Sequence, residues 1–272
     1  MQSLKHPIIV LDEEESASIV GKSKESLRNP STIALFKNTT LRPKSLYNDT
    51  PFGKYHFKII NNDHTAFKKR KSQAFSKTMQ RKIQSVLWDT RRSAFSNNLK
   101  PLTTNIIDFE EERPVDVFFA GTVNLKRPPG HHRKKLFKKL ETIKNLNIVT
   151  HIGRLPKEEY FDLLKKSKIV VSPWGNGEWC WRDYEAIYSG ALVIKPDTSF
   201  VQSVPDLYCN DKYYVACKPD FSDLEKKISY VLENYNKFTD MRKKARALLI
   251  NRWDHEKIAQ DLAKAIRQAL KK

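Results

Sequence analysis

Between residues 115 and 235, short runs of β-branched and aromatic residues alternate with longer stretches whose apolar positions recur every three or four residues. "VDVFFAGT" (115–122) predicts a strand ending at Gly121, and "HRKKLFKKLETIKN" (132–145) a helix with Leu136, Leu140 and Ile143 on one stripe. "NIVTHIG" (147–153), "KIVVSPWG" (168–175), "ALVIKPD" (191–197) and "YYVACKPD" (213–220) predict four more strands. Helices are predicted at 156–167, with Pro156 near its start, at 181–190, closed by Gly190, and at 221–235. Apolar strands joined by amphipathic helices give a parallel sheet covered on both faces, so a Rossmann-like lobe is expected over residues 114–252.

The first half has a weaker rhythm. "PIIVLD" (7–12), "STIALFK" (31–37) and "YHFKII" (55–60) predict strands, and "EEESASIVGKS" (13–23) a turn into helix. "KTMQRKIQSVLWDTRR" (77–92) places Met79, Ile83, Val86 and Leu87 at helical spacing. These elements make a smaller lobe over residues 1–100, with 101–113 as a linker. At the far end Asp254 can cap a helix, with Trp253 and Ile258 as a hydrophobic staple and Ile258, Leu262 and Ile266 as its apolar stripe. Residues 253–272 are therefore expected to dock as a helix on or across the lobes. The expected fold class is α/β, with two Rossmann-like lobes of which the first is abbreviated.

Composition narrows the function classes. No run of about 18 apolar residues exists, which excludes a transmembrane helix. The apolar patch at Pro7 to Leu11 stops at four consecutive acids and is too short for a signal peptide. Cys180, Cys209 and Cys217 make neither a paired framework nor a metal spacing, so a reducing, cytoplasmic location is expected. Fifty Lys and Arg against thirty-one Asp and Glu give a net charge of +19, which attracts polyanions of several kinds. The excess is concentrated at 64–100, where ten basic residues meet one acid, Asp89, and again at Lys126 to Lys139.

One segment has an unusual density of chemistry. "SPWGNGEWCWRDYEAIYSG" (172–190) holds three of the eight glycines and three of the five tryptophans, with Glu178, Arg182, Asp183 and Glu185. It lies after the third strand of the second lobe, at the sheet edge where open α/β folds bind ligands. Gly175 and Gly177 permit a close backbone approach. A helix that begins by residue 178 puts Glu178, Arg182, Glu185 and Ser189 on one face, with Trp181, Tyr184 and Tyr188 on a core-facing side. A carboxylate can accept both hydroxyls of a ribose, a guanidinium can bind phosphate oxygens through two N–H groups, and the helix start offers further N–H donors. The plainer alternative is an ordinary i,i+4 pair of Glu178 with Arg182, worth about 0.3–0.5 kcal/mol. Lys126, Arg127 and Arg133 after the first strand and Arg154 after the second bring more cations to the same edge. There is no G-x-G-x-x-G, no G-x-x-x-x-G-K-[ST], no serine nucleophile elbow and no D-x-D pair.

On these residues the chain resembles the donor-binding lobe of GT-B glycosyltransferases. "SPWGNGEWCWRDYEAIYSGALVIKPD", with "VFFAGTVNLKR" and "IVTHIGRLPKEEYFDLLKKSKIVVSP" before it in order and spacing, is similar to the exostosin-like group, which includes soluble xylosyltransferases of chlorovirus type. The resemblance covers residues 114–235 and is thin before them. It implies a transferase that moves a sugar from a nucleoside diphosphate, a UDP-sugar such as UDP-xylose, to a hydroxyl of a glycan or glycoprotein acceptor. Glu185 would hold the ribose, and Arg182 the diphosphate or donor sugar. Arg154, Arg127 and Lys126 would neutralise the departing diphosphate, Gly175 and Gly177 would open the turn and Trp181 would wall it, and no metal is required; Mg or Mn is not indicated. Six residues separate Glu178 from Glu185 where many GT-B enzymes have seven, which puts a donor-sugar contact by Glu178 in doubt.

A catalytic base in an inverting enzyme would come from the first lobe, where Asp12 and Glu13 end the first strand, although Asp12 with Glu15 also reads as the start of a capping box. His64 is a further candidate. The rival reading is a nucleic-acid-binding protein that stacks Phe67, Phe75, Trp88 and Phe95 of the basic 64–100 stretch on bases. It lacks any recognition motif, and those aromatics serve equally as core. A nucleotide-sugar hydrolase or epimerase on the same scaffold would turn over without an acceptor.

Overall fold

The computed structural model describes residues 6–50, 52–60, 74–87, 102, 104, 106–250 and 255–271. Its larger sheet is built as the apolar runs predict. Strands β5 (Val115–Gly121), β6 (Ile148–Ile152), β7 (Ser167–Val171), β8 (Leu192–Pro196) and β10 (Val215–Cys217) are all parallel, in the order β10-β8-β7-β5-β6. Alternate residues of β5 face opposite ways. Val117 and Phe119 pack against helices α4 (Pro128–Thr142) and α7 (Leu224–Glu233), and Phe118 and Ala120 join the core on the other face. That second face is covered by α5 (Lys157–Lys166), α6 (Trp181–Tyr188) and α8 (Thr239–Ile250). The chain leaves β5 on one side for β6, then crosses back to β7 on the other. The carboxyl ends of β5 and β7 therefore form the topological switch point.

The smaller lobe has the parallel order β1-β2-β4, from β1 (Ile8–Asp12), β2 (Thr32–Lys37) and β4 (Ile83–Ser85), with α1 (Gly21–Arg28) and α3 (Lys77–Lys82) beside it. Helix α9 (His255–Leu270) returns from the end of the chain and lays Leu262, Ala265, Ile266 and Ala269 on Ala34 and Phe36 of β2, so it docks on the first lobe. The expected staple residue Trp253 and cap Asp254 lie outside the described residues, as do His64, Phe67, Trp88 and Phe95.

Three expectations fail in this lobe, where short segments yield to what they pack against. Residues 55–60 form helix α2 (Tyr55–Ile60), not a strand, and bury His56 and Ile60, which are one helical turn apart. Six residues with mixed polarity fit both periods, and packing chooses between them. Residues 77–92 do not form one helix. The helix ends at Lys82, and Ile83 pairs with Leu35 in the parallel ladder, so sheet pairing overrides local spacing. Residues 13–20 are not helical either, and α1 starts only at Gly21.

The lobes share more than a linker. Strand β3 (Thr39–Leu41) of the first pairs antiparallel with β9 (Val201–Ser203) of the second, and the Arg42 N–H continues the pairing at 2.8 Å to the Phe200 carbonyl. One core cluster runs from Leu27 and Leu35 of the first lobe to Tyr184 and Tyr188 of the second. Within the predicted linker, Arg113 is buried and donates to the carbonyls of Ser167 and Ser189. Among the described residues no helix is long and apolar enough to cross a membrane.

Candidate functional site

The segment 172–190 folds around a buried acid that the charge pattern left unassigned. Asp183, in the first turn of α6, accepts from Ser172 Oγ at 2.5 Å, Cys180 N–H at 3.1 Å and Tyr208 Oη at 3.0 Å, and pairs with Lys195 at 3.1 Å. Asp183 and Lys195 are both buried, so these bonds fasten the start of α6 to β7 and β8. They also correct two expectations. The helix begins at Trp181, three residues later than the Glu178 face requires, and its first turn is closed by a Cys180–Asp183 capping box instead of opening to an anion. Tyr184 and Tyr188 face the core as predicted, and Trp181 packs edge-on against Trp179, which meets Tyr184 in the same way. Trp174 is wholly buried with its indole N–H on Thr198 Oγ1. The tryptophans are structural walls, and Trp181 does not line the cleft described below.

Glu178 goes to the other lobe. It is fully buried and accepts from Ser16 Oγ at 3.1 Å, Ala17 N–H at 2.7 Å and His56 Nδ1 at 2.9 Å. His56 Nε2 sits 3.2 Å from the Gly175 carbonyl, and Lys54 donates to the Asn176 carbonyl at 2.7 Å. Burial pushes the Glu178 carboxyl up, but the His56 charge, its hydrogen bond and the Ala17 N–H outweigh it and hold the group at about 2. Gly177 completes the joint, since a Cβ there would stand 2.3 Å from the Glu15 carbonyl oxygen. Gly175 faces Cys180 Sγ and the Arg133 guanidinium. Glu178, Gly175 and Gly177 thus serve the contact between lobes, and Glu178 does not share a face with Arg182 and Glu185.

Those two residues meet in a cleft of about 390 Å³ at the carboxyl ends of β5 and β6, beside the switch point. Gly121 and Gly153 form its floor and are tied by a 3.1 Å bond from Gly153 N–H to the Gly121 carbonyl. Arg182 donates one Nη2 bond to the Ala120 carbonyl at 2.8 Å and lies 4.9 Å over the Phe119 ring, leaving Nε and Nη1 buried without a partner among the described residues. Arg133 is held by the Thr122 carbonyl at 3.0 Å and leaves Nε in the same condition. Arg154 and Lys157 line the mouth. Glu185, one turn along α6 from Arg182, accepts the Tyr160 hydroxyl at 2.7 Å, and burial raises its carboxyl above the usual range. Charged N–H groups left unmet cost about 1–3 kcal/mol each, so under-bonded guanidiniums beside one hollow could take up an anion.

The structure therefore brings Glu185, Arg182, Arg154 and Arg133 together. Lys126 and Arg127 stand on the exposed turn before α4 and do not line the cleft. Asp12 is buried in an ion pair with Lys37 at 2.9 Å and accepts the Glu14 N–H, which closes a local turn and not a helix cap; Glu13 is exposed. Phe75, a candidate for base stacking, is buried against Tyr47. Sequence reasoning missed Tyr160 and His56 as partners, because nothing local marks an aromatic or histidine whose mate lies on another element. Among the described residues no group of three His, Cys, Asp or Glu could hold a metal ion.

A family model described as glycosyl transferase-like matches residues 127–264. No curated protein matches the sequence. Among solved structures, Anabaena HepE in complex with UDP-glucose is similar at 14% identity and a TM-score of 0.48, over 96% of this chain and 72% of that one. An S. aureus TarM mutant in complex with Fondaparinux, alpha-GlcNAc-glycerol and UDP is similar at 11% identity and a TM-score of 0.46, over 95% of this chain and 50% of that one. The pneumococcal O-GlcNAc transferase GtfA in complex with UDP and GlcNAc is similar at 11% identity and a TM-score of 0.46, over 97% of this chain and 53% of that one. The chain thus spans about half the length of the last two.

Proposed function

The chain belongs to the glycosyl transferase-like family, and from that premise we propose that it transfers a sugar from a nucleoside diphosphate to a hydroxyl of a glycan acceptor. The observation that supports this most is the cleft itself, which is lined by one carboxylate, that of Glu185, and by guanidiniums with N–H groups left unmet. A sugar nucleotide has the complementary layout of a vicinal diol and a diphosphate. Glu185 accepts the ribose hydroxyls. Arg182 and Arg133 take the phosphate oxygens, with Arg154 and Lys157 at the mouth. As the bond from sugar to phosphate breaks, the charge gathered on the leaving diphosphate is met by groups already in place, which lowers the barrier without reorganisation. The reading calls on no metal, since four cations line the site.

UDP is the favoured carrier, and UDP-xylose is the donor that the exostosin-like resemblance suggests. Of the two carboxylates expected to activate the acceptor, Asp12 is engaged with Lys37 in the interior, and the solvent-facing Glu13 is the one an acceptor can reach. Glu13→Gln should then abolish transfer and leave donor binding intact.

Calorimetric titration with UDP, GDP and their sugar conjugates, without added metal, tests the donor site on wild type and Glu185→Ala. Micromolar binding of one diphosphate that is lost in the variant supports the reading. A folded wild type that binds none of them ends it.

A further inference from the structure

Glu185 lies half-buried on α6, three residues after Arg182, yet the two do not pair. Arg182 is turned toward the Ala120 carbonyl and the Phe119 ring, and no ion pair to Glu185 forms among the described residues. The directed bond on the carboxylate is the one from Tyr160, at 2.7 Å to Oε2. Tyr160 is itself well held. Its N–H donates to the Pro156 carbonyl at 3.0 Å, and its ring packs 5.8 Å from Phe118 of β5 and 5.6 Å from Phe161. The last torsion of a glutamate is broad and weakly preferred, so a carboxylate without such a bond turns freely in its pocket. A phenol fixed in the wall of the cleft stops that rotation and takes up one lone pair, leaving Oε1 and the rest of Oε2 for donors from the ligand.

We propose that Tyr160 is a positioning residue that sets the plane of the Glu185 carboxylate for a vicinal diol, and so determines the preference of the site for a ribose over a deoxyribose nucleotide. The inference rests on the reading of this cleft as the donor site. Tyr160 acts through Glu185 and does not touch phosphate.

The test titrates the full chain with UDP, 2′-deoxy-UDP and inorganic pyrophosphate. Wild type should favour UDP over its deoxy analogue. Tyr160→Phe removes one oxygen, keeps the ring between Phe118 and Phe161, and should reduce that preference about tenfold while pyrophosphate binding is unchanged; unchanged pyrophosphate binding also shows that the variant is folded. In the Glu185→Ala background the same substitution should have no further effect on UDP affinity, the signature of two residues acting as one unit. A Tyr160→Phe variant with the full ribose preference, or one that weakens UDP equally with and without Glu185, overturns the positioning role and leaves the donor site standing. A wild type that binds pyrophosphate but shows no preference between the two nucleotides overturns it as well. Failure of wild type to bind any of the three overturns the donor reading itself.

Discussion

Glu178 and Glu185 lie seven positions apart, the first fully buried and the second half-buried, and their surroundings differ in kind. The first is saturated. A hydroxyl, a backbone N–H and an imidazole from the other lobe close around it and hold its carboxyl at about 2. The second has one phenol, faces a hollow lined by under-bonded guanidiniums, and has its carboxyl raised by burial. A buried charge whose partners are all present is architecture. One whose partners are incomplete, among neighbours also incomplete and beside a cleft, is where a ligand is to be sought.

The contrast can be broken most forcefully at the saturated end. Glu178→Ala leaves His56 buried without its carboxylate and should destabilise the fold by about 3–5 kcal/mol, read from chemical denaturation. The sign of its pH dependence follows from a folded value below the unfolded one. The contribution is complete above about pH 4.5 and is lost as pH falls through about 2, so the gap between wild type and Glu178→Gln should close over that acid range. Glu185→Ala should do the reverse, leaving stability unchanged or improved while UDP affinity falls on the order of a hundredfold, the loss of two hydrogen bonds to a charged group. Arg182→Lys keeps the charge but not the fork, and should weaken UDP by about tenfold in the same titration. Because ribose hydroxyls donate to the ionised form of Glu185, affinity for a UDP-sugar should weaken by up to about tenfold per pH unit below its raised pKa and level off above it. The double variant Lys126→Ala with Arg127→Ala should change UDP affinity less than about threefold, as expected of exposed, screened charges.

Legibility in the sequence followed the range of the interactions. The five strands of the second lobe are readable because each is an apolar run between turn residues, and the gathering of Glu185, Arg182 and Arg154 in one cleft because all three follow or flank strand ends of one sheet. The fate of Glu178 was not readable, since its partners Ser16, Ala17 and His56 lie 162, 161 and 122 positions away. The start of α6 was placed too early because its N-cap is Cys180, a residue that is not a usual start signal. Residues 55–60 and 77–92 misled because short segments with two compatible periods are decided by what they pack against.

The ladder of Thr39–Leu41 on Val201–Ser203 sets the order of events during synthesis. At about 5–20 residues per second a ribosome needs roughly ten to thirty seconds to deliver the second strand after the first. Through that interval the first lobe waits with β3 unpaired, and Ser16 and His56 wait for a glutamate not yet made. Neither lobe is finished on its own, so a ribosome that stalls before residue 178 releases a chain with β3 unpaired and with Ser16, Ala17 and His56 lacking the carboxylate they surround, a form open to chaperones and proteases.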